Sequence, residues 1–138
     1  HAHHEFDIDV PGKDSYELRK AGAEQMLVAS SQRWALMVET PDQDEARLEH
    51  LIQQLETKKL DLILVEGFKH AAYPKIECIR PQLGHDLMCL TDSDIIAVVS
   101  DAPLTGTVQI SQLDFNSPEL IAHFIQTEIL DQPPLCSA

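Results

Sequence analysis

The feature that most constrains the fold is the run Leu60-Asp-Leu-Ile-Leu-Val65, which is followed by Glu66 and Gly67. Five of its six residues are large and aliphatic, a pattern typical of a strand buried on both faces of a parallel sheet. In doubly wound α/β proteins, the carboxyl ends of such strands line the ligand crevice. Glu66 and Gly67 therefore indicate a metal or phosphate site. The alternative is that the strand ends there simply because the chain turns towards water.

A second apolar run, Ile95 to Val99, also ends in a polar turn, which extends from Ser100 to Leu104. If the two runs form parallel strands, their carboxyl ends lie at the same edge of one sheet. The pattern therefore predicts that Glu66 and Asp101 lie on that edge.

The other elements are predicted from periodicity and from turn residues. Asp14 and Glu17 form a capping-box pattern that begins a short helix ending at Ala21, and Gly22 closes that helix. Further strands are predicted at 25–29, 34–39, 75–80 and 107–113, and further helices after Thr40-Pro41 and from Pro118.

Composition narrows the function. The chain has 138 residues, of which 43% are hydrophobic, and this suits a single domain. Its formal net charge of -13 opposes binding to nucleic acid or to an anionic membrane. It has neither an apolar run of membrane-spanning length nor a signal-peptide pattern, which predicts a cytoplasmic protein. Its three cysteines form no CxxC pair, so we expect reduced thiols.

The first residues are rich in metal-binding side chains. His1, His3 and His4 precede Asp7 and Asp9 in a polar segment without periodicity. Imidazole and carboxylate groups bind divalent metals. The alternative is a solvated loop or one that faces phosphate, because nothing in the spacing fixes a coordination geometry.

Five blocks in order carry a resemblance to a known family. They are His1-x-His-His, Asp9-x-Pro-Gly-Lys-Asp-Ser-Tyr-Glu-Leu-Arg-Lys-Ala-Gly-Ala23, Arg33-Trp-Ala-Leu36, Leu60-Asp-Leu-Ile-Leu-Val-Glu-Gly-Phe-Lys-His70, and Ile96-Ala-Val-Val-Ser-Asp-x-Pro-Leu104. Together they closely resemble the MobB family of molybdopterin-guanine dinucleotide biosynthesis proteins, over roughly residues 1–130.

The resemblance implies a P-loop NTPase-like three-layer α/β fold with a mostly parallel central sheet. Residues 1–130 would form a single GTP-binding domain, and residues 131–138 a flexible tail. The family implies a homodimer that binds GTP and Mg²⁺, hydrolyses GTP weakly and assists the guanylyltransferase that attaches GMP to molybdopterin. Molybdopterin-loading proteins are further implied partners.

The same resemblance assigns residues to the nucleotide site. Glu66 would be the catalytic and magnesium-side carboxylate at the end of a Walker B strand, and Gly67 would let the backbone approach the terminal phosphate. Asp14 and Ser15 resemble the switch segment that faces that phosphate.

A further turn is assigned to the base. Ser100, Asp101 and Pro103 resemble the turn beside the purine, where the carboxylate would accept hydrogen bonds from guanine N1 and N2. These assignments are expectations that the resemblance implies.

One expectation and two alternatives qualify this function. Family members have a strand, a Walker A loop and a helix before the histidine segment, and these are not present in this chain, so we expect this polypeptide alone to bind GTP poorly. Two alternatives stay open. One is a non-catalytic dimerisation or adaptor module, and the other is a related metallocentre-maturation GTPase that delivers metal through His1, His3 and His4.

Overall fold

The structure, a computed structural model, describes residues 7–104 and 108–132. The chain divides into two compact units, the first from His1 to Leu55 and the second from Glu56 to Ala138. The metal hypothesis for His1, His3 and His4, the start of a strand at Thr107, and most of the tail lie outside the described residues. The assignment of residues 1–130 to one domain stays a prediction.

The first unit contains helix α1 (Asp14–Lys20), strands β1 (Gln25–Ala29) and β2 (Trp34–Val38), and helix α2 (Leu48–Ile52). β1 and β2 pair antiparallel, with Leu27 opposite Leu36 and Ala29 opposite Trp34. The Ser30 hydroxyl closes the turn between the strands by accepting hydrogen bonds from the amides of Gln32 and Arg33. Both predicted strands are confirmed.

Helix α1 confirms the predicted helix but corrects its cap. Lys13, not Asp14, is the N-cap, and Asp14 lies within the first turn, where the free amides of the helix stabilise a carboxylate. Glu17 Oε1 accepts a hydrogen bond from the Gly12 amide, 3.2 Å away. Gly22 follows the helix with a φ of 105°, a left-handed conformation that favours glycine.

Helix α2 begins later than the Thr40-Pro41 signal predicts. It starts at Leu48 with Arg47 as N-cap. The prediction of a helix from Pro41 is wrong, because most helix stability in proteins comes from packing an apolar face. Residues 41–47 include only Ala46 as an apolar side chain besides the proline, whereas Leu48 is buried.

The second unit is built on a parallel three-stranded sheet. Strands β3 (Lys75–Ile79), β4 (Ile95–Ser100) and β5 (Ser111–Asp114) lie in the order β3-β4-β5. The central strand β4 carries most of the buried side chains of the described core, namely Ile95, Ala97, Val98, Val99 and Ser100. The predicted buried strand at 95–99 is therefore confirmed.

Polar contacts hold the connection from β3 to β4. The Glu77 carboxylate accepts hydrogen bonds from the amides of Met88 and Cys89 at 2.8 and 2.9 Å, so it fixes a short 3₁₀ turn against β3. Burial raises the pKa of the Cys89 thiol, and the adjacent Glu77 carboxylate adds to the effect. Cys78 and Cys89 are free thiols, as expected.

The segment Leu60–Val65 is not a strand. It lies outside every helix and strand of the structure, and Leu64 is 77% exposed. The prediction of a buried strand here is wrong, because a strand also requires a hydrogen-bonded neighbour. No strand within residues 7–104 and 108–132 pairs with this segment.

The last helix confirms the Pro118 signal. Helix α3 (Pro118–Ile125) continues into a π-helical turn at Gln126–Leu130. Its apolar stripe is half-buried, consisting of Ile121, Phe124, Ile125 and Ile129. The Asp114 carboxylate accepts a hydrogen bond from the Asn116 amide, 2.8 Å away, and so organises the turn before the helix.

These elements confirm the α/β class and the parallel sheet. None of the helices within residues 7–104 and 108–132 has both the length and the apolar character that a membrane crossing requires.

We predict that Val98→Ala lowers the free energy of unfolding by about 2 to 3 kcal/mol, because it removes two buried methyl groups and leaves a cavity. Val98 has no exposed surface. The matched control is Val38→Ala in β2, at a side chain that is 50% exposed, and we expect it to cost less than about 1 kcal/mol. Urea denaturation followed by circular dichroism measures both. Equal losses would contradict the central position of β4.

Candidate functional site

The carboxyl edge of the parallel sheet brings three strand ends into line. Ile79 in β3 pairs with Ser100 in β4, and Ser100 pairs with Asp114 in β5. The next residues of the three strands are therefore Arg80, Asp101 and Phe115. Because this edge is where open α/β sheets bind ligands, it is the candidate functional site of the second unit.

Ser100 shapes the turn that follows β4. Its hydroxyl donates to the carbonyl oxygen of Ala102 and accepts from the amide of the same residue. Ser100 itself is buried, and its carbonyl oxygen accepts a hydrogen bond from the Phe115 amide at 2.9 Å. This turn carries Asp101 and Pro103 on the surface of the unit.

Asp101 is held by two neighbours. Gln82 Nε2 donates to Asp101 Oδ2 at 3.0 Å, and Arg80 Nε lies 3.5 Å from the same oxygen. A carboxylate has about four acceptor positions. These contacts fix the side chain and still leave acceptor capacity for a ligand.

Arg80 crosses the edge of the sheet. Its guanidinium carbon lies 5.2 Å from the centroid of the Phe115 ring, within the range of a cation–π contact. The Arg80 side chain is 54% exposed. Arg80, Asp101 and Phe115 therefore form one contiguous cluster, which we call the edge cluster.

Glu66 and Gly67 lie in an irregular segment of the second unit. Gly67 has a φ of 82° and Phe68 a φ of 49°, so the chain makes a left-handed turn directly after Glu66. For phenylalanine this conformation costs about 1–3 kcal/mol and is concentrated at functional sites. The predicted alignment of Glu66 with Asp101 through two parallel strands is not formed, since Leu60–Val65 is not a strand.

The described residues offer few donors to a magnesium ion. Among residues 7–104 and 108–132, no group of three His, Cys, Asp or Glu side chains is arranged to hold a metal ion. Mg²⁺ commonly uses one or two protein carboxylates, while phosphate oxygens and water complete its shell. Glu66 has the one carboxylate that such a site needs as a minimum.

Asp14 and Ser15 lie in the first unit, in the first turn of α1. The loop before this helix is held by Arg19. Its Nη2 atom lies 2.6 Å from Asp9 Oδ1 and 2.7 Å from Asp7 Oδ1, and its Nη1 atom lies 3.2 Å from Glu39 Oε1.

Arg19 also changes the acidity of this loop. The hydrogen bond that its guanidinium donates lowers the pKa of Asp9, and the same bond, with a second that Arg19 donates to Asp7, raises the pKa of Arg19. The Asp9 side chain is only 6% exposed. The network therefore links the segment 7–9 to the helix that carries Asp14 and Ser15.

Sequence reasoning missed Arg80, Gln82, Phe115 and Arg19. Arg80 and Phe115 each follow a strand directly, as Asp101 does, so their positions at strand ends were a usable signal. Gln82 and Arg19 gave no comparable signal, because their contacts depend on loops that meet only in the folded units.

The sequence was compared with known proteins. The family model of molybdopterin guanine dinucleotide synthesis protein B, MobB, matches residues 1–101. The chain belongs to the MobB family. The match includes Asp14, Ser15, Glu66, Gly67, Ser100 and Asp101, and it ends before Pro103.

Two curated relatives extend the similarity beyond the family match. The chain is 54% identical to the molybdopterin-guanine dinucleotide biosynthesis adapter protein of Escherichia coli (strain K12) over 126 residues, which are 91% of this chain and 71% of that protein. It is 38% identical to the protein of the same name from Haemophilus influenzae, over 91% of this chain and 68% of the relative. The resemblance to MobB is therefore confirmed.

We predict that Arg19→Gln raises the pKa of Asp9 in this MobB-family protein, because the hydrogen bond from the Arg19 guanidinium is the main cause that lowers it. Because the folded pKa is lowered, ionised Asp9 stabilises the first unit above its unfolded pKa, and this stabilisation is lost as the pH falls through the lowered value. NMR titration of the Asp9 carboxyl carbon measures the midpoint. Arg33→Gln, in the β1–β2 turn, is the control and should leave it unchanged. An Asp9 titration midpoint that is the same in Arg19→Gln as in the unmodified protein would contradict the contact between Arg19 and Asp9.

Proposed function

We propose that this protein is a GTP-binding accessory protein in the biosynthesis of molybdopterin guanine dinucleotide, which assists the guanylyltransferase partner. The family match over residues 1–101 carries this proposal, since it includes most of the assigned site residues. The names of the two relatives, molybdopterin-guanine dinucleotide biosynthesis adapter proteins, support the same process. The proposal includes a homodimer, contacts with molybdopterin-loading proteins, a cytoplasmic location, and no binding to nucleic acid or membrane, in keeping with the charge of -13.

We propose a P-loop NTPase-like three-layer fold for this domain. The parallel sheet β3-β4-β5 would be part of its central sheet.

Glu66 is the proposed catalytic and magnesium-side residue. A magnesium ion held there would supply positive charge to the phosphates during phosphoryl transfer. Glu66 would hold that ion directly or through water. The left-handed turn at Gly67 and Phe68 supports this role, because it ends the segment sharply and presents backbone beside Glu66.

The remaining assignments concern the nucleotide itself. Asp101 is proposed to accept hydrogen bonds from guanine N1–H and the 2-amino group, on a turn that Ser100 shapes and Pro103 follows. Asp14 and Ser15 are proposed to face the terminal phosphate. Their support is the family match and a loop that Arg19 holds in place.

We predict that Asp101→Asn in the full-length gene product lowers the affinity for GTP with magnesium by about 10- to 100-fold and raises the affinity for XTP, because an amide matches the C2 carbonyl of xanthine. Isothermal titration calorimetry with GTP and with XTP measures the ratio of the two affinities. Glu66→Gln should weaken GTP binding only when magnesium is present.

Glu119→Gln at the start of α3 is the control, since it removes a carboxylate outside the proposed site. Unchanged GTP affinity and unchanged XTP affinity in both site variants would overturn these assignments.

A second candidate function is a non-catalytic adaptor or dimerisation module. The observation that favours it is one face of the β1–β2 hairpin. Leu27, Trp34, Leu36 and Val38 share this face according to the strand register, and all four are exposed. Trp34 is 68% exposed, and a contiguous exposed apolar patch marks a protein–protein interface more often than scattered apolar residues do, with tryptophan enriched among the residues that dominate binding.

We predict that Trp34→Ser weakens self-association of the full-length protein, or its complex with a molybdopterin guanylyltransferase, by at least about tenfold, as expected for an interface tryptophan. Sedimentation velocity with and without the transferase distinguishes the two partners. The control is Leu130→Ser, at an exposed apolar residue of the second unit. If the unmodified protein is a monomer and does not bind the transferase, the result counts against the adaptor function.

A further inference from the structure

The edge cluster contains a planar cation, the Arg80 guanidinium, which contacts an aromatic ring and a carboxylate. Phe115 covers one side of the Arg80 guanidinium at 5.2 Å, and Asp101 Oδ2 lies 3.5 Å from its Nε atom. More than half of the Arg80 side chain is still exposed. An arginine that rests on an aromatic ring and keeps an exposed surface presents a flat platform on which a planar ring can stack.

The strand register explains why the platform forms here. Neighbouring strands lie about 4.8 Å apart, so the ends of β3 and β5 are separated by about twice that distance. Arg80 starts at the end of β3 and reaches Phe115, which follows β5 and is held by its amide on Ser100. The guanidinium therefore spans the turn that carries Asp101.

The charges of Arg80 and Asp101 favour a neutral ligand. Arg80 and Asp101 balance one another, so the cluster has little attraction for a free anion. A neutral planar ring gains stacking energy on the exposed side of the guanidinium, as nucleic-acid bases do on aromatic and arginine side chains. The fixed carboxylate adds acceptors for N–H groups on the edge of that ring.

We propose that Arg80, backed by Phe115, is the stacking residue for a planar heterocycle with a 2-amino-4-oxopyrimidine edge. Guanine and pterins share this edge, in which an N–H group and an amino group lie side by side and suit a carboxylate such as Asp101. The inference rests on the proposed reading of guanine by Asp101 and adds the residues that hold the plane of the ring. Adenine lacks this edge and is excluded.

The test measures GTP and ITP binding to the full-length protein with magnesium by isothermal titration calorimetry. ITP lacks the 2-amino group. Arg80→Ala should lower the affinity for both nucleotides by about tenfold and leave their ratio unchanged, because stacking does not depend on that group. Phe115→Leu should lower both affinities by a smaller factor. Arg80→Lys, which keeps the charge and loses the plane, should resemble Arg80→Ala.

Arg33→Ala is the matched control, and thermal melting of each variant confirms that it is folded. Equal GTP affinities in Arg80→Ala and Arg33→Ala would overturn the stacking proposal. Asp101→Asn tests the proposed function separately. If that variant keeps the GTP preference of the unmodified protein while Arg80→Ala weakens binding, the reading of guanine by Asp101 fails and stacking by Arg80 stands.

A competition experiment distinguishes the two sources of the ring. Guanosine and free pterin are each titrated against bound GTP, and adenosine is the negative control. Displacement by guanosine alone assigns the platform to the nucleotide, and displacement by pterin as well extends it to a pterin-bearing substrate. Displacement by neither ring, or equally by adenosine, would contradict the proposed edge recognition.

Discussion

The second unit depends on the burial of β4 between two parallel neighbours. Val98 and Ala97 have no exposed surface, and the strand pairs with β3 on one side and β5 on the other. Burial on both edges fixes the register, because a shift of one residue would turn the apolar side chains to the opposite faces. The aligned register places Arg80, Asp101 and Phe115 side by side. The core and the candidate site therefore have the same physical origin.

A few lysine and arginine side chains hold the loops of this acidic chain together through ion pairs. The sequence contains ten lysines and arginines against 23 aspartates and glutamates. Arg19 is shared by Asp7, Asp9 and Glu39, and Lys75 contacts Asp92 at 2.8 Å. Each cation gathers carboxylates that would otherwise repel one another. The loops around them are held by charge as well as by backbone hydrogen bonds, so replacing one such cation affects several loop residues.

Strands could be predicted from apolar runs only where the folded unit provides a neighbouring strand for each run to pair with. The run Ile95–Val99 is apolar and its strand has neighbours on both edges, so local pattern and tertiary pairing agree. Leu60–Val65 is just as aliphatic and is irregular, because pairing is a property of two segments and cannot be read from one. Helix α2 shows the same limit, since the Thr40-Pro41 signal is local whereas packing begins only at Leu48.

The sequence alone determined the family, the α/β class, most strand positions and the polar turn at Ser100 and Asp101. These features follow from residue order and from periodicity, which act locally. Only the tertiary structure decided that Gln82 and Arg80 hold Asp101, that Phe115 supports Arg80, and that Arg19 collects three carboxylates. Such contacts join residues that are distant in the chain, and their formation depends on strand register and loop closure. Local pattern contains neither.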